Sequence, residues 1–273
     1  MAGRLRETLG SFSMGELRQR ILDYEANARI ERTAEEIYHE LGNVLQSDYG
    51  FVMPIFEEHI REGIDLFRGR IISRPGEMAR VSDAWEAPAA VTRAGRLNAQ
   101  SEPLLYTAGA QSTAFYESRI KPGDLFAMSK FRTRSRFPVT RIGDPDKIVG
   151  LTVIEQEKLS VMLQFIEDVF TQKAGPEESH IYRAPERLAK IYFDYPPELA
   201  RGWIYRSIAD PSGFGRNLCL RPADGHELLE LIQVDVCRCL SVDRSNRPVR
   251  FDPLEVRMED PATGDLIVVW QAS

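Results

Sequence analysis

The chain has 273 residues, with 35 basic and 41 acidic side chains and a formal charge of −6. At 43% hydrophobic and 28% charged it can build a sizeable core and is no disordered tail. The acidic balance speaks against a dedicated nucleic-acid binder, and no apolar run reaches the ~20 residues that span a bilayer. The opening MAGRLRETLGSFSMGELRQR lacks a signal-type apolar core, and the odd set Cys219, Cys237 and Cys239 makes no disulfide framework. A cytoplasmic protein is the expectation.

Residues 14–67 read as helices leading into a strand. Thr33 with Glu36 fits a capping box, after which Ile37, Leu41, Val44 and Leu45 keep helical spacing. Pro54 suits a first helical turn, with Phe56, Ile60, Ile64 and Phe67 following on one face. A strand is expected at 67–72. Further strands are expected at 104–107, 124–129, 203–207 and 217–220, and a longer one around Ile232, Val234 and Val236. A closing hairpin is expected from Val256 and Met258 through the turn-rich 260–265 to 266–270. Helices are expected at 112–120, 156–170 and 185–193, and the basic, turn-rich 131–150 reads as a loop or surface insertion. The class is mixed α/β, of the α+β kind.

Generic motif searches assign no chemistry. His39-Glu40 opens an HExxH-like string, but Asn43 and Val44 stand where a second zinc ligand is needed. His59, His180 and His226 are scattered, and Cys237 and Cys239 have strand spacing rather than zinc-knuckle spacing. Gly213-Phe214-Gly215 has no helix signal or Lys-Ser/Thr pair after it and reads as a tight turn between strands. No metal is expected.

Three stretches carry more. They are Gly95-Arg96-Leu97-Asn98, then Leu104-Leu105-Tyr106-Thr107-Ala108-Gly109, then Thr113-Ala114-Phe115-Tyr116-Glu117; Tyr106 lies ten residues after Arg96, and Glu117 eleven after Tyr106. Further on come Gly202-Trp203-Ile204-Tyr205-Arg206-Ser207 and Gly215-Arg216-Asn217-Leu218, and ahead of them all stands Phe67-Arg68. Pieces in this order and spacing resemble the RES domain family, named for an Arg, a Glu and a Ser. Arg206 replaces the proline common before the serine, and the interval from Glu117 to Ser207 is longer than in compact members. The resemblance covers about residues 66–240. It leaves residues 1–65 as a helical N-terminal module and 241–273 as a C-terminal hairpin packing on the core.

The resemblance implies an ADP-ribosyltransferase-like mixed sheet core and an enzyme that consumes NAD+ as substrate by cleaving its nicotinamide–ribose bond. Nicotinamide leaves as a neutral group, so the need is to stabilise positive charge spreading over the ribose ring. Glu117 is the implied carboxylate for that task; taken alone it reads as an exposed helix glutamate. Arg96 is implied at the pyrophosphate or a ribose through its planar donor fork, with Asn98 of the same turn in the substrate-binding set. Tyr106 is implied to stack on nicotinamide, its alternative being a half-buried strand tyrosine. Ser207 is implied to orient substrate or glutamate and is no nucleophile, since the sequence places no base beside it. Arg68 is a further phosphate ligand or, equally, a structural ion-pair partner. The acceptor stays open: water, phosphate or a protein side chain.

The family context implies a bacterial toxin with a helix-turn-helix antitoxin as partner, and the extra N-terminal helices suggest homo-oligomerisation or regulation. Two alternatives stand beside this reading: a protein ADP-ribosyltransferase on the same scaffold, and a non-catalytic module that binds ADP-ribose or a nucleotide. Neither nucleic acid nor membrane is an expected partner.

Overall fold

The computed structural model describes residues 2–28, 30–45, 56–143, 148–172, 183–196, 198–242 and 250–272. Its helices are α1 (Ala2–Gly10), α2 (Met14–Asn27), α3 (Ala34–Leu45), α4 (Gln111–Glu117), α5 (Val153–Thr171), α6 (Arg183–Leu188) and α7 (Pro222–Leu228). Its strands are β1 (Phe56–Ile60), β2 (Asp65–Ile72), β3 (Leu105–Ala108), β4 (Leu125–Thr133), β5 (Phe137–Ile142), β6 (Gly202–Arg206), β7 (Arg216–Leu220), β8 (Leu229–Ser241), β9 (Arg250–Asp260) and β10 (Asp265–Gln271). They form one ten-stranded sheet in the order β1-β5-β6-β7-β3-β2-β4-β8-β9-β10. The chain is therefore mixed α/β.

By contact the chain divides into two units, residues 1–56, 92–102 and 140–195 in the first and 57–91, 103–139 and 196–273 in the second. The N-terminal helices are thus grouped with α5 and α6 from mid-chain, and the C-terminal hairpin with the sheet.

In the first unit the helices bury their apolar faces on one another. Ile37, Leu41, Val44 and Leu45 of α3 are buried, as their spacing predicts. The Thr33–Glu36 box closes, with Glu36 N–H donating to Thr33 Oγ1 at 3.2 Å and Thr33 N–H to Glu36 Oε2 at 2.7 Å. Ser13 with Glu16 and Thr152 with Glu155 cap α2 and α5 in the same way. Tyr24 of α2 meets Phe165 of α5 edge to face at 5.0 Å. Lys158 of α5, itself buried, donates to the carbonyl of Leu9 at 2.6 Å and to that of Phe12, satisfying one acceptor in the last turn of α1 and one just beyond it.

In the second unit the sheet buries both faces. On one side lie Leu66, Ile72, Leu105, Ala127, Phe131, Ile204, Leu218 and Leu220. On the other, Ala108, Phe126 and Met128 pack with Ala114 and Phe115 of α4. The expected strands at 104–107, 203–207 and 217–220 are present, displaced by no more than one residue at either end. The closing hairpin is β9–β10, Asp265 pairing with Asp260.

Two expectations are corrected. The helix expected to carry Phe56, Ile60, Ile64 and Phe67 on one face is instead strand β1, a turn and strand β2; Pro54 lies outside the described residues. Gly63 there adopts φ +77°, a left-handed turn conformation that ends any helical run. The expected loop at 131–150 holds the end of β4 and all of β5. Phe131, Phe137, Val139 and Ile142 are buried, while Arg132, Arg134 and Arg136 between them are exposed. The basic residues masked an alternating pattern. Asp65 takes Lys130 at 2.8 Å and Arg132 at 2.9 Å, and those bonds hold its carboxyl below the usual aspartate value. Both cations are thus engaged by the chain's own carboxylate.

Helix α4 approaches β2 closely because residue 69 is glycine. A Cβ there would stand 2.4 Å from Ser118 Oγ and 3.1 Å from the Ala114 carbonyl oxygen. Gly69→Ala should therefore cost about 1–3 kcal/mol in urea unfolding. Ser118→Ala in the same chain should recover part of the loss, because it removes the nearest atom.

Candidate functional site

Glu117 ends α4 and is exposed, yet one of its oxygens is held from beneath. Oε1 accepts from Ser207 Oγ at 2.5 Å and from Asn217 Nδ2 at 2.7 Å, and both donors are buried. Among the described residues nothing bonds to Oε2. Ser207 follows β6, and its own N–H donates to the Gly215 carbonyl at 2.8 Å, which closes the loop between β6 and β7. Gly213 (φ +73°) makes the tight turn expected at Gly213-Phe214-Gly215.

The register explains why Asn217 reaches Glu117. β3 and β7 pair Tyr106 with Cys219 and Ala108 with Asn217. Paired residues share a face, and Ala108 packs with α4. Tyr106, Asn217 and Cys219 therefore stand on the α4 face. β6 adds Trp203 opposite Cys219 and Tyr205 opposite Asn217 on that face. Tyr106 is half-buried and hydrogen-bonds across the strands to Cys219. Burial, chiefly, pushes the Cys219 thiol up, out of the nucleophilic range.

The structure thus brings Glu117 and Ser207 into direct contact and sets Tyr106 on the same sheet face. It does not bring Arg68 to them. Phe67 and Gly69 face α4, so Arg68 shares the opposite face with Leu66 and Ile72. Removal from water, together with Arg70 nearby, pushes Arg68 down to about 10, only partly offset by Glu86. Arg68 Nη1 is buried without a hydrogen-bond partner among the described residues, as is Glu86 Oε2; Glu86 Oε1 faces His226 Nε2 at 3.2 Å.

Arg96 and Asn98 belong to the first unit. Arg96 Nη1 donates to the carbonyl of Phe170 and, at 3.2 Å, to that of Gln172, placing a cation on the carbonyl end of α5. Asn98 is buried, and its Nδ2 donates to the carbonyls of Arg93, Ala99 and Glu102 at 2.9–3.0 Å. The Gly95–Asn98 turn is closed by its own polar groups, and Asn98 stitches it.

Sequence reasoning gave no role to Asn217, Thr113 or Asp210. For Asn217 a signal existed: an amide amid Leu218, Cys219 and Leu220 on a buried strand needs a partner. Asp210 had none, since an aspartate before Pro211 reads as turn chemistry. Among the described residues no group of three or more His, Cys, Asp or Glu is gathered as a metal would require, and no helix is long and apolar enough to cross a membrane.

No family model, curated protein or solved structure matches the chain.

The buried Arg68 nitrogen, which meets no partner among the described residues, should cost stability. Arg68→Met should raise the free energy of unfolding by about 1–3 kcal/mol in urea titration. A fall of that size would show that the guanidinium holds the fold together.

Proposed function

We propose that the chain is an NAD+-consuming enzyme of RES type, built on an ADP-ribosyltransferase-like core and acting as a bacterial toxin that a helix-turn-helix antitoxin blocks. The observation that carries the chemistry is the asymmetry of Glu117: two buried donors on Oε1, and an exposed carboxylate whose Oε2 nothing among the described residues engages. A carboxylate held in this way is preorganised for charge that develops during reaction.

In the proposed step the bond between nicotinamide nitrogen and ribose C1 breaks, and its electron pair stays on nitrogen, neutralising the pyridinium. Positive charge spreads over C1 and the ring oxygen, where Glu117 Oε2 stabilises it and accepts a ribose hydroxyl. Water then adds to C1 and loses a proton, giving ADP-ribose; phosphate in its place gives the 1-phosphate. Tyr106, on the same sheet face, is assigned to the nicotinamide ring. Ser207 donates to the carboxylate and orients it.

The substrate's phosphates are not assigned to Arg68, which stands on the other sheet face. Arg96 and Asn98 rest on the family resemblance alone, since both have bonds to their own chain. Cytoplasmic action, where NAD+ is abundant, completes the reading.

Purified protein incubated with NAD+, with and without phosphate, should release nicotinamide, followed by chromatography. Glu117→Gln should lower kcat by about 100-fold or more. Saturable NAD+ binding without release would point to the binding module. Radiolabel carried onto protein would point to the transferase.

A further inference from the structure

Helix α4 and the loop between β6 and β7 are joined twice, on one helix face. Thr113 and Glu117 are four residues apart on α4 and so stand one above the other. Glu117 accepts from Ser207 Oγ at 2.5 Å, and Thr113 Oγ1 donates to Asp210 Oδ2 at 2.5 Å. A third bond ties the loop ends of these rungs together: Asp210 N–H donates to Ser207 Oγ at 3.2 Å.

The direction of each bond matters. Ser207 has one hydroxyl proton. Because its oxygen accepts from the Asp210 N–H, that proton is directed at Glu117. The Asp210 carboxylate does not compete for it, since its two oxygens take Thr113 O–H and, at 2.9 Å, Ser212 N–H. Thr113, Ser207 and Asp210 are all buried, so the bonds run beneath the exposed Glu117. Gly215 lets the returning chain pass over them: a Cβ there would lie 2.4 Å from Asp210 Oδ2 and 2.7 Å from Thr113 Oγ1.

We propose that Asp210 is a positioning residue for Glu117: anchored to α4 through Thr113, it aims the Ser207 hydroxyl at Oε1 and so leaves Oε2 directed at the substrate. The inference rests on the NAD+ reading for its kinetic consequence, but the bond geometry is open to a test of its own.

A short O–H···O bond to a carboxylate gives a downfield, slowly exchanging proton in the NMR spectrum. The unaltered protein should show two, one from Ser207–Glu117 and one from Thr113–Asp210, and the Ser207 proton is the one that should vanish in Ser207→Ala and in Glu117→Gln. It should broaden or vanish in Asp210→Asn, which keeps the shape but removes one of the two carboxylate acceptors. Thr113→Val, with no hydroxyl to anchor Asp210, should act in the same direction and guards against an Asp210 variant that fails to fold.

In nicotinamide release, Asp210→Asn should lower kcat about 10- to 100-fold while KM changes by less than about threefold. The double variant with Ser207→Ala should fall no further than Ser207→Ala alone, within about twofold, because both act through one hydroxyl. Absence of the downfield Ser207 proton, its persistence unchanged in folded Asp210→Asn, or additive kinetic losses would each overturn the inference. The expected proton pattern in a protein that releases no nicotinamide would sink the NAD+ reading and leave the positioning intact.

Discussion

The close seat of α4 on β2, possible because Gly69 carries no side chain, is the constraint from which the candidate site follows. It lowers the helix onto the sheet face shared by Ala108, Phe126 and Met128, where Ala114 and Phe115 anchor it. Glu117 at the helix end then comes within 2.7 Å of Asn217, and Thr113 within 2.5 Å of Asp210. A helix lifted by the width of a methyl group would break both contacts, since hydrogen bonds weaken steeply over such distances.

The polar groups of this site differ in how much water they see. Glu117 is exposed, whereas Ser207, Asn217, Thr113 and Asp210 are buried. Burial would raise the Asp210 carboxyl, but hydrogen bonds from Thr113 and Ser212 outweigh it and hold the group below the ordinary aspartate value. Folding thus favours the ionised form of Asp210, and that contribution is present above about pH 4 and fades as the pH falls through its lowered value. Arg68 is the contrary case. It is a charge on the apolar side of the same sheet, with a buried nitrogen that none of the described residues meets.

Much of the secondary structure was legible from spacing. α3, α5 and the closing hairpin declare themselves through capping boxes, apolar periodicity and turn residues. β1 and β5 did not. Phe56 and Ile60 are as compatible with a helix face as with a strand, and the arginines between Phe131, Phe137 and Val139 hide alternation behind charge. In both cases the strand's hydrogen bonds come from residues distant in sequence, which no local pattern records. The candidate site was legible by half: Tyr106, Glu117 and Ser207 share a sheet face or touch, while Arg68 faces away because successive side chains of a strand point to opposite faces of the sheet.

The sequence by itself determined the α/β class, the capped helices, the polar residues within apolar strands and the order of Arg96, Tyr106, Glu117 and Ser207 along the chain. Only the tertiary structure decided which of these meet. Strand register selected Asn217 over its neighbours, and helix height selected Thr113 as the anchor for Asp210. The cause is physical: a hydrogen bond forms within a few tenths of an ångström, and positions are fixed to that degree by packing between segments about a hundred residues apart.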